Sequence, residues 1–129
     1  MNHIKIMSNI ISLNLEVKQP DDVKKFAAQA TELLNLLNPK GKEGVEFGEF
    51  ENGIYFEVRN RGLRPLIAWI VTEGIAASFP DMDLTVYTTW EGPVDGKYVS
   101  DEGYLVEVEP LKDENGSPLY DEAENLLFP

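Results

Sequence analysis

From Ile11 to Lys18 the chain alternates strictly, Ile11, Leu13, Leu15 and Val17 against Ser12, Asn14, Glu16 and Lys18. A period of two places the apolar set on one face of a half-buried strand. The period then changes. Val23, Phe26, Ala27, Ala30, Leu33, Leu34 and Leu37 recur at helical spacing behind Pro20, Asp21 and Asp22. Proline needs no N–H in a first turn, and the two carboxylates meet the positive end of the helix dipole, so a helix starts here. Asn38-Pro39-Lys40-Gly41 is its expected stop.

Two short strands follow, over 45–50 and 53–59, joined at Glu51-Asn52-Gly53. An Asn-Gly step between alternating segments signals a hairpin, because both residues tolerate positive φ. Leu63, Leu66, Ile67, Ile70, Val71, Ile75 and Phe79 read as the buried stripe of a second helix over 64–79, with Pro65 in its first turn and Phe79-Pro80-Asp81 at its end. A strand over 82–90 comes next, with Met82, Leu84, Val86, Thr88 and Trp90 on one face and Thr85, Tyr87 and Thr89 on the other. The order β-α-β-β-α-β predicts an α+β ferredoxin-like plait, an antiparallel sheet with two helices on one face. Beyond the turn at Gly92-Pro93-Val94-Asp95-Gly96, strands near 97–100 and 104–109 are expected to extend the sheet as a hairpin across Asp101-Glu102-Gly103. The domain thus runs over 1–109. Residues 110–129 form an acidic tail, with a loop at Asp113-Glu114-Asn115-Gly116 and a short helix from Ser117-Pro118 carrying Leu119, Ala123, Leu126 and Leu127 on one side. No internal repeat is visible in this reading.

Composition changes the picture through charge. The formal net charge is −12, and residues 81–129 hold thirteen Asp and Glu against Lys97 and Lys112. These C-terminal two-fifths therefore carry nearly all the imbalance. Such a field repels nucleic-acid backbones and anionic lipid and attracts basic surfaces, although acidity also simply keeps a small protein soluble. With 129 residues and no cysteine, the chain is one domain without disulfides or thiolate chemistry. Neither a signal peptide nor a membrane-length apolar run is visible, so a cytoplasmic location is expected.

Phe79-Pro80-Asp81, the strand Leu84-Thr85-Val86-Tyr87, and Glu91-Gly92 followed by Gly96-Lys97-Tyr98-Val99 carry a resemblance to a known family. Over roughly residues 63–104 the chain resembles the ferredoxin-like domain of Api-type, YubB-like proteins of plasmids, phages and pathogenicity islands. The resemblance implies that fold and an accessory role on a mobile element, and no particular chemistry.

Catalytic and cofactor motifs fare poorly. His3 is the one histidine and lies in a terminus, far from the oriented partners that a triad or metal cluster needs. Asp101/Glu102 and Glu107/Glu109 sit on turns or outward faces, where no apolar pocket raises one pKa for acid–base work. Asp113, Asn115, Ser117 and Glu124 match calcium-loop positions, but Pro118 stands where the loop demands glycine. No phosphate-binding glycine loop is present. The strand Gly53-Ile54-Tyr55-Phe56-Glu57-Val58 has a likeness to an RNA-binding strand, but its face sets Tyr55 and Tyr87 beside Glu16 and Glu57, the wrong charge for RNA. The reading is of a protein with no catalytic residues, cofactor or metal.

Two surfaces remain. The first joins Tyr87, Trp90, Tyr98 and Tyr104 as aromatic anchors with Glu91, Asp95, Asp101, Glu102, Glu107 and Glu109. It fits a basic protein partner, in its sharpest form a nucleic-acid-handling enzyme inhibited by phosphate-like charge. The second groups Arg59, Arg61 and Arg64, expected to pair with the protein's own carboxylates, with Trp69, which is either an interface anchor or covered by the C-terminal helix. The competing function is a small-ligand-binding or dimeric metabolic or regulatory module on the same fold, and the oligomeric state stays open.

Overall fold

The computed structural model describes residues 10–19, 21–37 and 45–129. His3, Pro20 and the expected stop at 38–41 lie outside these residues. Eight elements follow in order: β1 (Ile10–Val17), α1 (Asp22–Leu37), β2 (Val45–Phe50), β3 (Gly53–Arg59), α2 (Arg64–Ser78), β4 (Leu84–Trp90), β5 (Val94–Asp101) and β6 (Tyr104–Glu107). The strands form one six-stranded sheet in the order β2-β3-β1-β4-β5-β6, with every neighbouring pair antiparallel. The protein is therefore a mixed α+β domain, with β1 and β3 inside the sheet and the apolar set of each on one face.

Register explains the core. Leu13 lies opposite Phe56, while Leu15 is flanked by Ile54 on one side and Val86 on the other. All five are buried, and Phe26 of α1 and Val71 and Ile75 of α2 close over them. The two helices pack antiparallel to each other, with Phe26 against Phe79 at 5.4 Å between ring centroids and Gln29 Nε2 donating to Ser78 Oγ at 3.1 Å. Thr72, polar and fully buried, is satisfied because its hydroxyl donates to the Ala68 carbonyl at 2.8 Å. The opposite sheet face carries Ser12, Asn14, Glu16, Tyr55, Glu57 and Tyr87.

Several local expectations need correction. Strand β3 runs over Gly53–Arg59 as expected, but neither Asn52 nor Gly53 takes a positive φ. Its glycine is needed for space rather than for φ, since a methyl group there would overlap the Leu15 carbonyl of β1. The stripe assigned to α2 holds only in part: Val71 and Ile75 are buried and Ile67 and Phe79 pack against the core, but Leu63, Leu66 and Ile70 are 67%, 52% and 40% exposed, and Ala68, Thr72 and Ala76 are buried instead. The helix is apolar almost all round, so periodicity alone could not tell its inner face from its outer one. Strand β4 begins at Leu84, and the hairpin extension begins at Val94, a few residues before the expected start.

The tail holds the largest departure. It forms no helix, and its segments pair as extended chain: Lys112 bridges Pro118, and Tyr120 bridges Leu126. Two loops with the same bonding connect them. In the first, Asp113 Oδ1 accepts from the N–H groups of Asn115 and Ser117; in the second, Asp121 Oδ1 accepts from those of Ala123 and Asn125. Gly116 and Glu124 take equivalent positive φ values of 84° and 69°. Asp side chains that bind their own downstream backbone outcompete the helix that Ser117-Pro118 was expected to start. The loops expose a repeat of eight residues, Pro110-Leu111-Lys112-Asp113-Glu114 and Pro118-Leu119-Tyr120-Asp121-Glu122, which continues as Leu126-Leu127-Phe128. Its leucines close a ring of backbone bonds, in which Leu119 donates to Leu111, Leu127 to Leu119 and Leu111 to Leu127.

Candidate functional site

The acidic C-terminal part of the chain builds one surface from β5, β6 and the folded tail. Asn125 ties the tail to the start of β5: its Oδ1 accepts from the Val94 N–H at 2.7 Å, and the next N–H, of Leu126, donates to the Val94 carbonyl at 2.9 Å. Lys97 stands on the open sheet face between two rings, with Nζ 5.7 Å from the Tyr87 centroid and 5.9 Å from that of Phe128. The tail thus reaches the face that the helices leave uncovered.

The structure separates the candidate anchors. Tyr87 is half-buried beneath Lys97, whereas Tyr98 points to the helix side and packs on Trp69 at 4.8 Å between centroids. Trp69 is therefore held by β5, and no C-terminal helix lies over it. Trp90 and Tyr104 are the outward aromatics, 43% and 76% exposed. Burial, with the Glu107 and Asp95 charges behind it, raises the Tyr98 phenol above its ordinary 10.0.

The carboxylates occupy distinct settings. Asp95 accepts from the Thr88 hydroxyl at 2.6 Å, and Glu109 pairs with Lys112 at 3.0 Å. Glu91, Asp101, Glu102 and Glu107 are exposed. Asp121 is held below its usual 3.8, first by the Asn125 N–H and then by the Asn125 side-chain amide and the Ala123 N–H. Among the described residues four ion pairs form, and in the acidic part they engage only Asp83, through Lys18, and Glu109, through Lys112. The remaining carboxylates there have no cation within 4 Å among those residues.

Backbone geometry adds a signal that composition hides. Glu91, Glu102 and Glu124 have φ of 55°, 51° and 69°, and they are the non-glycine residues with positive φ among those described. Glu102 and Gly103 are the central residues of a two-residue turn, a position where Asn would be cheaper. A left-handed non-glycine residue costs roughly 1–2 kcal/mol, so the acidic part keeps three glutamates at a conformational penalty.

The arginine cluster lies elsewhere. Arg59 and Arg64 line an open depression of about 450 Å³ with Ile10, Glu46, Glu57 and Val58. Arg61 is exposed, and its N–H donates to the Arg59 carbonyl at 2.7 Å. The expected pairing is not seen, because none of the three arginines takes part in an ion pair among the described residues. No cluster of three or more His, Asp or Glu able to hold a metal occurs among those residues either.

No family model, curated protein or solved structure matches this chain significantly. The site therefore stands on its own geometry. Two features of it were missed in the sequence, the outward face of α2 and the eight-residue repeat. The spacing of Pro-Leu-x-Asp-Glu between 110 and 118 was the available signal for the second.

Proposed function

We propose that this chain is a non-catalytic binding protein whose acidic C-terminal surface, with Trp90 and Tyr104 exposed on it, engages a basic protein partner. One observation carries the reading: most carboxylates of β5, β6 and the tail lack a cationic partner among the described residues, so their field is directed outward. The glutamates kept in left-handed conformations support it, since solubility alone needs no charge at those positions. We take β1 to β4 with both helices as a ferredoxin-like plait, a reading supported by the order β2-β3-β1-β4 and by the shared helix face. The resemblance over residues 63–104 supports a mobile-element accessory role, with a nucleic-acid-handling host enzyme as the partner inhibited.

The test replaces Asp95, Asp101, Glu102, Glu107 and Glu109 by Asn or Gln in one variant. Surface changes of this kind shift stability by roughly 1 kcal/mol or less. Wild-type and neutralised baits are compared on host lysate, and the captured protein is then measured for its association rate. A basic protein held by the first and lost by the second, with a salt-dependent on-rate, is the expected outcome. Equal retention by both baits retires the proposal.

A further inference from the structure

Strand β6 closes the sheet on the acidic side, and among the described residues no strand lies beyond it. Its pairing fixes which backbone groups face outward. Asp101 and Tyr104 flank the two-residue turn, Val99 pairs with Val106, and the Val108 N–H donates to the Lys97 carbonyl at 2.9 Å. In an antiparallel hairpin of this register, Tyr104, Val106 and Val108 exchange bonds with β5, and the N–H and C=O of Leu105 and Glu107 point away from the sheet. Such a row of free groups is a template for another strand.

The side chains around that row have a definite character. Tyr104 and Val106 are exposed on the open face, an apolar strip unusual for an unprotected edge. Leu105 is half-buried on the helix face, and Glu107 shares that face opposite Tyr98. Asp101 and Glu102 sit at one end of β6, and Glu109 follows at the other. The C-terminal end of α2 lies close by, since a methyl group on Gly103 would be 3.6 Å from Ala77 Cα. The edge is short and its flanking charge is negative, so a strand added to it must carry the opposite sign.

We infer that β6 accepts an extended basic segment of the partner as a seventh, antiparallel strand. This inference rests on the proposed function and names its mode of docking. Main-chain bonds to Leu105 and Glu107 supply the affinity common to strand addition, and alternate side chains supply the specificity. Lysine or arginine opposite Glu107 and Glu109 meets opposite charge, and a β-branched residue opposite Val106 covers the apolar strip. A second copy of this chain is the wrong occupant. An antiparallel β6–β6 pair centred on Val106 would set Glu107 beside Leu105 and bring the carboxylates at both ends of each strand together.

The probe is the peptide acetyl-Lys-Val-Lys-Thr-Ile-Thr-Arg-amide, with a version N-methylated at the two residues that would bond β6. Methylation keeps the charge and removes the donors. Binding to the isotope-labelled protein is followed by amide shifts. We expect the Leu105 and Glu107 amides to move downfield and exchange more slowly, with affinity about tenfold weaker for the methylated peptide. Glu107→Pro, which removes an outward donor, should weaken binding more than Glu107→Gln, which removes only the charge.

Equal affinity for both peptides, or shifts confined to residues away from β6, overturns strand addition. If the neutralised bait still loses its partner while the peptide does not bind, the edge is wrong and the acidic surface stands. Concentration-dependent dimerisation abolished by Glu107→Pro gives the edge to a second copy and also overturns the inference. The methylated peptide is tested on unmodified protein, so misfolding of the proline variant leaves the inference falsifiable.

Discussion

Single residues on this surface do unlike jobs despite similar chemistry. Tyr87 and Tyr98 are eleven positions apart on neighbouring strands, yet Tyr87 faces the open side under Lys97 and Tyr98 the helix side against Trp69. The difference has a measurable consequence. The Tyr98 phenol ionises above 10.0 in the native protein because its surroundings disfavour the anion. Its contribution to stability is complete below the unfolded value and is lost as pH rises from there through the native one. Ultraviolet titration of the native protein should show a step above the ordinary 10.0, and Tyr98→Phe should abolish it. Glu107→Gln should move the step part of the way down, since burial outweighs the carboxylate.

At the scale of elements, α2 and the tail show how composition and packing divide the work. The helix has an inner face that builds the core and an outer one of Leu66 and Ile70 that touches solvent. Ile75→Ala should cost about 2–5 kcal/mol by chemical denaturation, because it leaves a cavity among fully buried neighbours. Leu66→Lys should change stability by only about 0.5 kcal/mol, as surface substitutions do. Comparable losses for the two would show that the outer face is covered. The tail depends instead on one side chain. Asn125→Ala removes the acceptor for Val94 and the amide that binds Asp121, while the Asx loop at Asp113 stays intact. Hydrogen exchange should speed up over 119–128 and stay unchanged at Leu13 and Leu15. Uniform acceleration across the core would mean that the tail and sheet unfold as one unit.

For the whole molecule, the decisive property is the asymmetry of charge. Residues 81–129 oppose a phosphate backbone, and Arg59 and Arg64 share their depression with Glu46 and Glu57. No detectable binding to random single- or double-stranded DNA and RNA is expected in gel shift at low salt. Micromolar binding that falls steeply with added salt would contradict this. No helix among the described residues is long and apolar enough to cross a membrane.

Alternation and helical spacing determine much of this protein directly. β1, α1 and β3 each bury one regular face, and a residue's side in such an element follows from its position in the repeat. Three features were left to tertiary structure. An all-round apolar helix has no intrinsic inner face, so only the sheet and α1 decided that Leu66 and Ile70 look outward. The tail's local hydrogen bonds were encoded by Asp113 and Asp121, but their ring of leucines needed three segments to meet in space. The outward row of β6 amides was likewise invisible in sequence, because which amides point outward depends on the register against β5. Local periodicity is written residue by residue, whereas register and exposure belong to the pairs that form only when the chain is folded.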